Sequence, residues 1–190
     1  MIRISFAGVV VAMMLGLSFA APLPKDAARP LYFPTHVGTK WVYFWDWTGG
    51  YKDQEYVEVI TAAKKTNGVW RVTVGRDDEK TSFVWEVTED GFALSESYDL
   101  PFVRVTSTAL KYPSKQGQMW DGPDDTRMTA FGPEKFTFNG NEVEAIRVEE
   151  RNTKFPGWLR TRWYGKGIGL LKDKAPGITI TLKSFTPGKP

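Results

Sequence analysis

The 190-residue chain has no cysteine and a single histidine, His36. The first absence excludes disulfides, thiolate metal sites, iron–sulfur clusters, thiol nucleophiles and a lipid-modified N-terminal cysteine. The second leaves no material for a multi-histidine metal centre. No Gly-x-Ser-x-Gly occurs, and His36, within Pro34-Thr35-His36-Val37-Gly38, has no partner motif for nucleophilic catalysis. Glu149 and Glu150 are adjacent on a predicted strand and point to opposite faces, so they cannot pair as a glycosidase's carboxylates. The run Asp121-Gly122-Pro123-Asp124-Asp125 lacks EF-hand spacing and a closing glutamate, and reads as a turn. Gly165-Lys166-Gly167-Ile168-Gly169 lacks the phosphate-loop pattern and opens no helix, so it reads as a backbone bend. No catalytic residue, metal ligand or cofactor is assigned. A carboxylate-based hydrolase is the least supported function.

Long apolar runs are also scarce. The one such run lies at the N-terminus. Arg3 precedes an uncharged stretch, Ile4 to Leu17, and Ser18-Phe19-Ala20 supplies small residues where a signal peptidase reads. Residues 1–20 are therefore expected to be a Sec-type signal peptide, short of the ~20 apolar residues of a membrane span. Residues 21–36, with Pro22, Pro24 and Pro30, are expected to form an extended leader. Residues 37–190 are expected to form one β domain. The expected location is outside the cytoplasm, periplasmic or extracellular, with no transmembrane segment after cleavage.

What the chain does have is aromatic residues: 8 Trp, 7 Tyr and 12 Phe. They recur with period two, the signature of strands. Trp41, Tyr43, Trp45 and Trp47 fall on one face. Val57 and Val59 alternate against Glu58; Trp70, Val72 and Val74 against Arg71 and Thr73; Phe83, Trp85 and Val87 follow. Asn67-Gly68 and Asn139-Gly140-Asn141 are hairpin signals. Residues 106–111 have enough periodicity for one helical turn at most. The cadence of turns predicts an all-β fold: a single curved antiparallel sheet, a half-barrel or barrel.

On such a sheet Trp41, Tyr43, Trp45 and Trp47, with Trp70 and Trp85 on neighbouring strands, are candidates for lining a site for a lipid or other apolar ligand. The same alternation suits a filled core. Nucleic acid is not expected, because the net charge is only +3. Positive charge is nevertheless uneven: from Arg151 to Pro190 there are nine Lys or Arg and one acid, Asp173. Arg160, Arg162, Lys166, Lys172 and Lys174 are candidates for contact with an anionic partner in a structural or assembly role. The competing reading pairs them with acids such as Glu144, Glu149 and Glu150 across strands. An envelope protein is a further candidate partner.

Three phrases carry a resemblance. Tyr32-Phe33-Pro34 followed by Val37-Gly38-Thr39-Lys40-Trp41-Val42-Tyr43 is one. Pro113 to Trp120, with Gly117, and Trp163-Tyr164-Gly165-Lys166-Gly167-Ile168-Gly169-Leu170-Leu171-Lys172 are the others. Together with the hairpin around Asn139-Gly140, they resemble a group of uncharacterised exported bacterial β-rich proteins. The resemblance implies a sheet curled like the half barrels of bacterial lipoprotein carriers, and it implies no catalytic residue.

Overall fold

The period-two alternation becomes twelve strands and no helix in the computed structural model, which describes residues 31–48, 52–77, 81–97, 107–112 and 115–189. The expected signal peptide and most of the expected leader lie outside the described residues. The strands are β1 (Lys40–Trp47), β2 (Gln54–Thr66), β3 (Val69–Arg76), β4 (Ser82–Thr88), β5 (Gly91–Ser97) and β6 (Ser107–Lys111). They continue with β7 (Met119–Asp121), β8 (Thr126–Phe138), β9 (Asn141–Asn152), β10 (Leu159–Gly165), β11 (Gly169–Ala175) and β12 (Ile178–Thr186).

All twelve form one antiparallel sheet in the order β6-β5-β4-β3-β2-β1-β12-β11-β10-β9-β8-β7. The first and last strands pair in its middle, and β6 and β7 are its edges. The sheet is all-β, curved and antiparallel, as the alternation predicts, and of the half-barrel and barrel it is the unclosed form. The edges are nevertheless bridged: the Trp120 indole on β7 donates to the Thr108 carbonyl on β6 at 3.1 Å.

Both Asn-Gly signals are two-residue hairpin turns, with positive φ at Asn67 and Gly68 and at Asn139 and Gly140. Such a turn consumes so few residues that β2 runs on to Thr66. Residues 107–111 form strand β6, with no helical turn, because Ala109 and Leu110 are buried and the segment pairs with β5.

In an antiparallel meander, alternate connections fall at opposite ends. One end carries the turns at 67–68, 89–90, 139–140 and 166–168, and it is crossed by residues 31–39. This strap belongs to the domain. Tyr32 and Phe33 are buried, the Tyr32 hydroxyl donates to Glu144 at 2.8 Å, and Gly167 N–H donates to the Leu31 carbonyl at 2.9 Å. The end of the expected leader is thus built into the core, because two large rings seat there. The opposite end carries the connections at 122–125, 153–158 and 176–177.

Candidate binding cavity

The inner face of the curved sheet is core near the strap and hollow toward the far end. A partly open cavity of about 330 Å³ lies there, the lower end of the range for small-molecule sites. Its floor is aromatic. Phe33 on the strap packs against Trp41, Trp85 and Phe92, with ring centroids 5.8, 5.3 and 5.2 Å away. Phe92 meets Tyr164 edge-on at 5.1 Å. Geometries of this kind suit the ring quadrupole and add to the area term.

Sequence alternation places the walls. On β1, Trp41 and Tyr43 are each 2% exposed, yet both touch the cavity, so they are core and lining together. The Trp41 indole donates to the Ile168 carbonyl at 2.6 Å, and the Tyr43 hydroxyl to the Leu170 carbonyl at 3.1 Å. Trp45 lines the cavity further along the strand and meets Tyr56 at 4.8 Å. Trp85 lines it from β4. Two of the six aromatic candidates do not line it. Trp47 sits beyond Trp45, edge-on at 5.8 Å, and Trp70 packs against the core at the strapped end, where Lys65 lies over its ring.

The cavity also has a charged side that the aromatic pattern does not announce. β2 faces inward with Tyr56, Glu58 and Ile60, and Val57 and Val59 are on the other face. The reason is Arg76. It is Glu58's partner in the β2–β3 register, and its guanidinium lies 4.4 Å over Tyr56 and 5.0 Å over Trp45. Burial pushes the Glu58 carboxyl up to about 7, with Arg76 opposing and Asp77 adding to the shift.

Across the cavity, β10 and β11 supply Arg160, Arg162 and Asp173. Arg162 and Asp173 are direct cross-strand partners, and Arg160 reaches Asp173 from the diagonal position. Arg160 Nε is 2.9 and 3.0 Å from the two Asp173 oxygens, and Arg162 Nε is 3.4 Å from Oδ2. Arg162 also reaches Glu150 on β9 at 2.9 Å. Asp173 is 4% exposed, so the network is largely withdrawn from water.

The five candidate cations therefore do not make one surface. Arg160 and Arg162 turn inward. Lys172 lies over the outward-facing Trp163, whose indole donates to Glu134 at 2.8 Å. Lys166, in the turn after β10, is 3.7 Å from Glu144, and Lys174 is exposed. Among the described residues no group of three or more His, Cys, Asp and Glu is placed to hold a metal ion. In the 121–125 turn, Asp121 pairs with Arg127 and Asp125 with Lys154, which is the behaviour of a solvated turn.

Sequence reading also missed lining residues. Tyr56, Glu58 and Arg76 were legible as one inward set only if the acid was allowed a place among core positions. Phe33 was hidden by its proline-rich surroundings. Asp173 had a usable signal: it is the one acid in a long basic stretch.

Glu58 gives a pH prediction. Its folded pKa lies above its unfolded value, so the stability it contributes is complete below about pH 4.5 and is lost as pH rises toward 7. Glu58→Gln removes this slope. Urea unfolding at pH 8 should show the variant more stable than the parent by about 1–3 kcal/mol, with little difference at pH 4. Equal slopes in the two proteins would show that Glu58 is well solvated.

No family model matches the sequence, and no curated protein is similar to it. Among solved structures, a protein of Bacteroides fragilis described as exported and as having a YmcC-like fold superposes with a TM-score of 0.54 at 12% identity. The match covers 83% of this chain and 99% of that one. A protein of Parabacteroides distasonis described as a lipoprotein gives 0.47 at 10% identity, over the same shares. At this identity the first likeness establishes the fold alone.

Proposed function

We propose that this is an exported, non-catalytic envelope protein that binds an apolar ligand in the hollow half of its curved sheet. The observation that carries the reading is the 330 Å³ cavity, whose floor and β1 wall are rings already fixed by the core. A preformed apolar hollow binds without a large ordering cost. Export is supported by the pattern of residues 1–20 and by the description of the Bacteroides fragilis protein as exported. The nearest alternative, docking of an anionic surface by the basic C-terminal strands, is weaker because Arg160 and Arg162 face the cavity.

The test is native mass spectrometry of the protein purified without detergent from its own host's envelope fraction. A reproducible added mass, lost on denaturation and recovered in organic extract, is the expected result. A bare chain that also leaves N-phenylnaphthylamine fluorescence unchanged would mean that nothing apolar enters the cavity.

A further inference from the structure

We infer that Asp173 occupies the anion site of the cavity as a resident carboxylate, so that the cavity takes an uncharged amphiphile, such as a long-chain alcohol or ester, and excludes ionic head groups of either sign. The inference rests on the binding reading above and adds head-group chemistry and a specificity-determining residue to it.

Guanidinium groups receive a carboxylate in a forked geometry. Asp173 is held in that way. Arg160 presents Nε, at 2.9 and 3.0 Å from the two carboxylate oxygens, together with Nη2. Arg162 adds Nε at 3.4 Å from Oδ2. The carboxylate of an acidic ligand would be received on this wall by the same groups, but the chain's own carboxylate already fills the place. Sequence puts it there. Alternation along β10 turns Arg160 and Arg162 to the cavity, and the β10–β11 register sets Asp173 opposite Arg162. Asp173 lines the cavity and is nevertheless 4% exposed, so its charge is neutralised by its neighbours with little help from water.

The charges close locally. Arg160 and Arg162 face Asp173 and, 2.9 Å from Arg162, Glu150. Two cations meet two anions, and the balance draws on neither Arg76 nor Glu58, which are register partners on the β2–β3 side. An acidic head group would have to share the arginines with Asp173, placing like charges side by side, or displace Asp173 from its partners. A cationic head group would meet two arginines whose acids are already engaged. Either ion would be buried without a counter-charge of its own, which is costly. A hydroxyl or ester oxygen brings no charge. A guanidinium carries five N–H donors, and Asp173 takes only part of those of Arg160, so a neutral oxygen can be served without breaking the pair. The remainder of the ligand meets the rings of Phe33, Trp41, Trp85 and Phe92.

The test is a head-group series at constant chain length: dodecanol, dodecanoate and dodecyltrimethylammonium. Each is titrated below its micelle concentration into the detergent-free protein at pH 8 and low salt, with displacement of N-phenylnaphthylamine and calorimetry as readouts. Dodecanol should bind about tenfold or more tightly than either ion. In Asp173→Asn the fork is free to receive the ligand's carboxylate, and the ratio of dodecanoate to dodecanol affinity should rise about tenfold or more. The double variant Arg160→Met with Asp173→Leu removes fork and resident together, and it should keep the parent's preference for dodecanol. If Asp173→Asn does not fold, the parent and the double variant carry the test. A parent that binds either ion as tightly as dodecanol, an Asp173→Asn ratio no higher than the parent's, or a double variant that favours dodecanoate overturns this inference while the apolar-binding reading stands. Probe uptake that none of the three compounds reverses does the same. Absence of binding by the probe and by all three overturns both.

Discussion

Trp41→Ala is expected to lower the stability of the protein by about 3–5 kcal/mol. The side chain is 2% exposed and sits between Phe33 on the strap and Phe185 on β12, at centroid distances of 5.8 and 6.3 Å. Truncation removes the buried area and leaves a hole at the join between the strap, β1 and the β10–β11 turn. It also removes the 2.6 Å hydrogen bond to the Ile168 carbonyl, an acceptor at the tip of that turn. The turn is shaped to meet the indole: Gly169 has φ +93, and a Cβ there would lie 3.7 Å from Trp41 Nε1. Urea denaturation should show a loss that consumes a large share of a typical domain's 5–15 kcal/mol, about the usual span for folded proteins. Trp41→Phe separates the two contributions. It keeps much of the area and forfeits the hydrogen bond, so it should cost about 1–2 kcal/mol. A loss under about 1 kcal/mol for the alanine variant would mean that the floor is not a packed element and that the cavity continues to the strap.

The same residue shows what was legible beforehand. Alternation from Trp41 to Trp47 and from Phe83 to Val87 assigns strand and face correctly, and two Asn-Gly pairs fix two hairpin registers. These are local signals, decided by residues two apart or by a turn that only positive φ permits. The pairing of β1 with β12 is not local. It joins segments some 140 residues apart, and nothing in either strand names its partner. The burial of the strap is hard to read for a related reason. Proline near Tyr32 and Phe33 argues for an extended segment, which is true of the backbone, yet the rings decide that it is buried. On the charged side of the cavity the alternation of Val57 and Val59 against Glu58 does not tell which face turns inward. A charged residue among inward positions is costly unless paired, so it is expected to be rare; where it occurs it marks a place in which the fold has given up apolar burial for something else.

Asp173→Asn tests what that something is. The substitution keeps shape and removes the charge shared by Arg160 and Arg162. Removing one member of a buried ionic group strands the others, and the expected loss is about 3 kcal/mol, the lower part of the usual range, since Arg160 is partly solvated. The informative comparison is the double variant Arg160→Met with Asp173→Leu, in which Arg162 keeps Glu150. Buried ion pairs replaced by apolar residues of similar size are commonly no less stable, so the double variant should recover most of the loss seen in Asp173→Asn. Recovery would mean that the fold does not require the charges. Their retention on the inner wall then needs a reason in binding, and the double variant should take up N-phenylnaphthylamine at least as well as the parent. If instead the double variant is as unstable as Asp173→Asn, the network holds β10 and β11 in register, and its charge belongs to the scaffold of the cavity before any ligand. The two outcomes separate because the first restores stability and the second does not.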